Sequence, residues 1–541
     1  MNRRFFLQLS AVAAAHTLLH WRFAGAAPAK TPGAYDAVVV GAGLGGLTCA
    51  AYLAKHGFRT LLAEQYDVPG GYATSFSRES EKGAFTCEVS LHSSVLGAGP
   101  ARDILTDLGV WDKLDLVPHP NAWSSRFPDF SLDVPSKCGL DGFERQLAPL
   151  FPAEAKGLAA FFRVWRNVMA ETRKLEQGMP KEARDRFPKL FPTLWDIHDK
   201  TLGQVVDAHV RDPKLRAVLA QSCGYYGLPP SQLSAFYYLL PTGEYISNGG
   251  SYIKGTSQAL SDALAGAVAD AGGEVRYGTL VEEILLEDGR AVGIRTDDGE
   301  VIRARTVVCN ASAPQVFGKL LPAGALPQPD RARLDAYTHS PGTFIVWLGL
   351  DQDITSSFKL PELARYASCD LDANYADAMR CRYDTGGFSL MVYDNLIPGF
   401  SPKGCTSLSI VSASGYDVWK GMEAAYLKGD CPAYEKLKKE LTDTLIAQVE
   451  KHVIPGLSKM IVMRDSATPL TNLRFTLNAS GSIYGYNQSV DNSFMSRIPN
   501  RTPVPGLFLA SAWGNPGGGY GGVLAGGKGA FREVARELGA A

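Results

Sequence analysis

A chain of 541 residues is too long for one small core and points to two or three domains, or to two domains built from interleaved segments. Apolar residues make up 45% and charged residues 20%, an ordinary soluble balance, and a formal net charge of −1 leaves no field to hold nucleic acid or another polyanion. Nine cysteines stand singly, with no CxxC pair and no CxxCH run, which removes zinc, iron–sulfur and covalent-haem readings; no metal site is expected.

The first thirty residues read as an address. Arg3-Arg4-Phe5-Phe6-Leu7 leads a weakly apolar stretch through Leu19, and Ala24-Gly25-Ala26 offers a small-residue cleavage site. The apolar stretch, about 11 residues, falls short of the roughly 20 needed to span a bilayer. Residues 1–26 are therefore expected to be a twin-arginine signal peptide and 27–33 a linker. That route carries folded proteins, so the mature protein is expected in the periplasm.

Next comes a nearly continuous apolar run, Tyr35–Val40, of the kind that forms a central parallel strand. Gly41-Ala42-Gly43-Leu44-Gly45-Gly46 follows, then a helix over 44–55 and a second strand over 59–63 that ends at Glu64. A lone GxGxxG means little, but here the whole βαβ frame surrounds it, with an acid about 20 residues on. Gly41 permits the turn, Gly43 lets backbone approach a pyrophosphate, and Gly46 lets the helix lie close to the strands. The helix N-terminus offers N–H groups to phosphate, and Glu64 accepts from ribose hydroxyls. A second glycine pair, Gly70-Gly71, follows the acid. Near the C-terminus, Gly506 to Gly522 reads as a strand, a loop with Gly517, Gly518, Gly519 and Gly522, and the start of a helix running to about 538. Two close-approach sites at opposite ends of the chain suit a long, buried FAD better than an exchanging nicotinamide. The second helix N-terminus suits negative charge on a reduced flavin.

Together these segments resemble the flavin amine oxidase/phytoene desaturase superfamily, narrowing toward its phytoene desaturase, carotenoid isomerase and retinol saturase group. The stretches Phe85 to His92, Gly249 to Leu260, Gly273 to Asn310 and Gly506 to Gly529 carry the likeness, which spans nearly all of the chain from Ala34. The resemblance implies FAD as cofactor and adds Ala42, Gly45, Gln65, Thr74, Val281 and Ala512 to its contacts. Two positions depart from the family pattern. Val68 and Tyr72 flank the paired glycines where an arginine is common, and Ala512 stands where many members carry an acid.

The expected fold is α/β: a Rossmann-like FAD-binding domain from 34–130, 249–320 and 480–541, with an interleaved α+β substrate domain from 131–248 and 321–479. In the latter, 158–174 and much of 200–240 read as helices, and 343–350 and 407–411 as strands. Cys369 and Cys381 are a candidate disulfide that spacing does not decide.

Flavin chemistry asks little acid or base of the protein. His92, expected at a strand end facing the flavin, is the first candidate for a proton donor or substrate-positioning group, with Glu88 at i−4 to orient it. Tyr225 is a second candidate; Tyr226, Tyr245, Tyr484 and Tyr520 are pocket candidates. Lys254 reads as solvated. Three functions compete: a desaturase, saturase or isomerase acting on an isoprenoid, polyene or other hydrophobic lipid; an amine or amino-acid oxidase using O2; and a non-catalytic lipid-binding module of the same fold. For the first, the electron partner is expected to be a quinone or a periplasmic carrier, and peripheral membrane contact is compatible.

Overall fold

The computed structural model describes residues 34–176, 186–493 and 496–539; the signal-peptide and linker segments lie outside them. A seven-stranded sheet carries the dinucleotide motif. Tyr35–Val40 lies at its centre, parallel to Thr60–Ala63 on one side and to Val301–Cys309 on the other. Glu274–Arg276 extends the sheet beyond Thr60–Ala63, and Leu507–Leu509 joins the end of Val301–Cys309, both in parallel.

The burial pattern of Val301–Cys309 explains its two roles. Its first half alternates, with Val301 exposed and Ile302 buried, and pairs antiparallel with Arg290–Thr296, which in turn pairs with Val281–Glu287. Its second half, Thr306 to Cys309, is buried throughout and enters the parallel region, where helices cover one face and the antiparallel strands from Val281 to Ala304, with the turn at 313–320, cover the other.

The helix Leu44–Lys55 is buried from Leu44 to Ala54, and its Cys49, Ala50, Ala51 and Ala54 are side chains short enough for close approach of its neighbours. The C-terminal helix Tyr520–Glu537 crosses it so tightly that a methyl group at Gly527 would stand 2.4 Å from the Gly45 carbonyl oxygen. The helix ends where the sequence predicts, one residue short of 538.

A second seven-stranded sheet runs in the order Ile461–Ala467, Gly342–Leu350, Thr406–Ser414, Phe388–Val392, Glu362–Arg365, Asn121–Arg126, Ser131–Pro135. Here one sequence boundary needs correcting. Asn121–Arg126, expected in the flavin domain, pairs in parallel with Glu362–Arg365 and forms a hairpin with Ser131–Pro135. The alternating burial of that hairpin gives it one apolar face, through Leu132 and Val134, which joins the helical core rather than the parallel sheet.

The helical layer is built on Ala155–Glu176, whose Leu158, Phe161, Phe162, Trp165 and Val168 recur at helical spacing and are buried. It packs against Ala235–Asn248, and Trp165 Nε1 donates to the Leu239 carbonyl at 2.7 Å. A two-stranded ribbon, Ser75–Ser80 with Gly83–Glu88, projects from the flavin side toward the second sheet. All nine cysteines are free thiols. Cys381 is buried with its sulfur 3.2 Å from Ser414 Oγ, so the candidate bridge to Cys369 is not formed. No helix among the described residues is long and apolar enough to cross a membrane.

Candidate cofactor and active site

The glycine loop leaves the first strand with Gly41 at φ 95° and its amide donating to the Ala63 carbonyl at 2.8 Å. Two loop amides are committed within the protein: Ala42 N donates to Glu64 Oε2 at 2.6 Å, and Gly46 N to Asn310 Oδ1 at 3.1 Å. The amides of Leu44 and Gly45, in the first turn, have no intrahelical acceptor, and both residues border the cavity. Gly45 is also a packing constraint, since a Cβ there would fall 1.8 Å from the Ala510 carbonyl oxygen.

Glu64 is 8% exposed. Burial pushes its carboxyl up, while the backbone N–H groups of Ala42, Tyr66 and Gln65 oppose the shift. The bonds from Ala42 N and Tyr66 N occupy two of a carboxylate's roughly four acceptor positions, leaving others for ribose hydroxyls. Gln65 lines the same cavity, but its amide donates to the Phe475 carbonyl at 3.2 Å. Val281 begins its strand beside Glu64, whose carbonyl accepts from Thr279 N at 2.8 Å. Gly70 is tied to the loop through its amide to the Ala42 carbonyl, 2.8 Å, and bridges Gly43. Gly71 faces Gly43 across that bridge, and Thr74 Oγ1 donates to Gln258 Oε1 at 2.6 Å.

The other end of the site is the loop after Leu507–Leu509. Ser511 Oγ is buried there with no partner among the described residues. Gly517 and Gly519 take φ 126° and 82°, conformations that aim the start of Tyr520–Glu537 at the cavity. Gly518, Gly519, Gly522 and Ala512 line that cavity, while Ala42, Gly46 and Gly517 lie behind its wall. The Ala512 carbonyl accepts from Arg497 Nη2 at 2.7 Å. Sequence reasoning missed both Arg497 and Asn310. Asn310 had a readable signal, a polar residue ending an apolar run; Arg497 sits in irregular chain and had none.

His92 lines the cavity from the loop after the ribbon. Its Nδ1 shares a hydrogen bond with Tyr393 Oη at 3.1 Å, and its carbonyl meets His119 Nε2 at 2.9 Å. Burial, and next the charge of His119, bring His92 down to about 4; burial brings His119 to about 4 as well. Both rings are therefore neutral at neutral pH. Glu88 does not orient His92. It is fully buried, accepting from Val89 N, Ser257 N and Tyr252 Oη at 3.1, 3.0 and 2.8 Å, so it shapes the turn leading to His92 rather than touching the ring. The alternation of strand faces ends at Glu88, which defeats the i−4 argument.

Tyr225, Tyr226, Tyr245, Tyr484 and Tyr520 all reach the cavity wall. Tyr225 stands edge-on to Trp123 at 5.6 Å and Tyr245 leans on the same indole at 4.7 Å. Tyr226 bonds Thr242 Oγ1 at 2.7 Å, and Tyr520 Oη shares a bond with Ser90 Oγ at 2.9 Å. Lys254 is exposed and pairs with Asp115 at 3.5 Å.

These groups border one continuous cavity of about 2690 Å³. Two helix starts, spare acceptor capacity on Glu64, the unpartnered Ser511 hydroxyl and glycines without room for a side chain fit FAD. An ordinary small-molecule site holds roughly 300–1,000 Å³, so space remains for a second ligand.

Comparison with known proteins agrees. A family model described as flavin containing amine oxidoreductase matches residues 44–395. The chain is 27% identical over 521 residues to prolycopene isomerase 2, chloroplastic, of an Oncidium hybrid cultivar, covering 93% of this chain and 84% of that protein. It is 28% identical to the neurosporene-forming phytoene desaturase of Rhodobacter capsulatus, covering 92% and 94%. It is 25% identical to the all-trans-retinol 13,14-reductase of Danio rerio, covering 89% and 82%. In fold it resembles an oxidoreductase from Methanosarcina mazei, TM-score 0.59, 17% identity, covering 92% and 99% of the two chains. Cyclohexylamine oxidase from Brevibacterium oxydans gives 0.58, 15%, 94% and 99%. With the family model spanning well over half of its length, the chain belongs to the flavin-containing amine oxidoreductases and is an FAD-dependent oxidoreductase.

Proposed function

We propose that this flavoenzyme acts on a long hydrophobic polyene or isoprenoid, of the carotenoid or retinoid class, by desaturating, saturating or isomerising it. The observation that carries the reading is the size and lining of the cavity beyond the cofactor cradle. Its inner wall is aromatic at Trp123, Tyr225 and Tyr245, and the one imidazole among the described residues that faces it, His92, is neutral. Such a wall takes an extended apolar chain and excludes water. The relatives' names support the reading: an isomerase of prolycopene, a desaturase of phytoene and a reductase of all-trans-retinol.

FAD, when bound, supplies transfer of hydride equivalents to or from the substrate. The protein's own residues do the rest. Leu44 and Gly45 amides and Glu64 would hold the cofactor's polar end, the aromatic wall aligns the substrate, and the neutral His92 ring, steadied by Tyr393, positions the substrate.

Incubating the holoenzyme with a panel of polyenes and lipids and following product masses tests this. A gain or loss of two hydrogens, or a same-mass isomer, is the expected result. Peroxide release with amines, and no change in any polyene, overturns it in favour of an O2-using amine oxidase. On the same reading residues 1–26 direct export by the twin-arginine route, and a quinone or periplasmic carrier exchanges electrons with the flavin. An intact N-terminus on protein that remains in the cytoplasm would refute the export.

A further inference from the structure

Arg497 is shut away from solvent, 4% exposed, yet every group it binds is neutral. Nε donates to the Gly514 carbonyl at 2.7 Å, Nη2 to the Ala512 carbonyl at 2.7 Å, and Nη1 to the Asn492 carbonyl at 3.1 Å and to Gln488 Oε1 at 2.5 Å. The Tyr237 ring lies 5.8 Å from the guanidinium carbon. Among the described residues no carboxylate pairs with it, and the only titratable groups that act on its charge are Tyr237 and Tyr337. A buried cation without a counter-charge strongly destabilises a fold. An anion brought close to it offsets that cost.

The guanidinium lies against the C-terminal flavin loop. A Cβ on Gly517 would stand 2.9 Å from its central carbon. The same loop carries the unpartnered Ser511 hydroxyl and opens the 18-residue helix Tyr520–Glu537, whose N-terminus adds positive potential. FAD carries negative charge in two places. Its pyrophosphate is permanently charged, and the helix N-terminus at Leu44 and Gly45 borders the cavity at the other end of the site. Its isoalloxazine ring is neutral when oxidised and gains one negative charge on accepting two electrons and one proton.

We propose that Arg497 is the counter-charge for the reduced, anionic flavin ring, raising the reduction potential and keeping the reduced ring from taking a second proton. This role rests on FAD filling the cavity, whatever the substrate, and flavin content per protein measures that separately. Arg497 thus poises the flavin for its electron partner without touching substrate.

The test is a reductive titration of holoenzyme with dithionite, equilibrated against a reference dye. Arg497→Gln is expected to retain FAD and lower the equilibrium constant for two-electron reduction at least tenfold, a fall of about 30 mV. Arg497→Lys, which keeps the charge but not the planar fork, is expected to stay within threefold of the wild type. An unchanged constant in Arg497→Gln overturns the proposal, because a residue that merely braces the loop would not move the potential. Should that variant emerge without FAD, the wild-type protein decides. Between pH 5.5 and 6.5 its potential is expected to follow one proton per two electrons, about 30 mV per pH unit. A slope of two protons per two electrons there overturns the proposal.

Discussion

The ring of His92 and the hydroxyl of Tyr393 stand 3.1 Å apart, joined across 301 positions of sequence. The bond ties the loop after the Gly83–Glu88 ribbon to the turn after Phe388–Val392, and so fixes an imidazole facing the cavity. Replacing His92 with Ala is expected to leave FAD bound but lower turnover at least tenfold, about 1.4 kcal/mol of barrier. Tyr393→Phe removes only the partner and is expected to fall between that variant and the wild type. Turnover per bound flavin checks both, and undiminished turnover in His92→Ala removes the residue from the mechanism.

The same corner makes stability depend on pH. His92 and His119 are held near 4 by burial, below the histidine value of 6.5, so between those pH values the unfolded chain binds more protons and stability rises with pH. Glu362, whose Oε2 lies 4.0 Å from His119 Nδ1, is pushed by burial up to about 8, from 4.5. Between 4.5 and 8 the folded state holds the extra proton, and this contribution is lost as pH rises. Two histidines that gain against one carboxyl that loses give net gain up to about 6.5 and net loss from there to 8. Melting temperature is therefore expected to peak near pH 6.5 for this cluster. Glu362→Gln should flatten the alkaline decline; a decline of unchanged slope contradicts it.

Glu88 gives a prediction about folding rather than turnover. Its carboxylate collects backbone and hydroxyl donors from Val89, Ser257 and Tyr252 in a site closed to water. Glu88→Ala strands those donors, each at a cost of about 1–3 kcal/mol, so a loss of at least ~3 kcal/mol is expected. Urea unfolding measures it. A loss under ~1 kcal/mol would mean the turn before His92 is held some other way.

What the sequence showed and what it hid divide along physical lines. The βαβ motif was legible because its signals are local: apolar run, glycine spacing, acid at the next strand end. Leu44–Lys55 came out residue for residue. The hairpin at Asn121–Arg126 was misassigned because its partner, Glu362–Arg365, lies more than 200 residues on, and no local pattern encodes that pairing. Glu88 misled for a related reason. A buried acid looks the same in sequence whether it faces an imidazole or a turn of backbone amides. Arg497 was invisible since an arginine bonded only to carbonyls leaves no paired acid to find.

The glycine loop separates cofactor affinity from folding. At Gly43 an added methyl would lie 2.4 Å from Asn310 Nδ2, the movable end of a side chain, whereas at Gly45 it would lie 1.8 Å from the backbone carbonyl of Ala510. Asn310 can swing away, giving up its Oδ1 bond to Gly46 N, so Gly43→Ala is expected to keep the apoprotein's melting temperature within a few degrees while weakening FAD binding tenfold or more. Gly43→Val, larger and branched, should abolish binding. Gly45→Ala has no such escape, because helix and C-terminal strand must part to admit the methyl. Overpacking of this kind costs about 1–3 kcal/mol and more where backbone must move. The apoprotein itself should then melt several degrees lower. Melting curves of the apoproteins, with flavin fluorescence titrations beside them, check the division. Equal melting losses in Gly43→Ala and Gly45→Ala would show that Asn310 is as immovable as the Ala510 backbone.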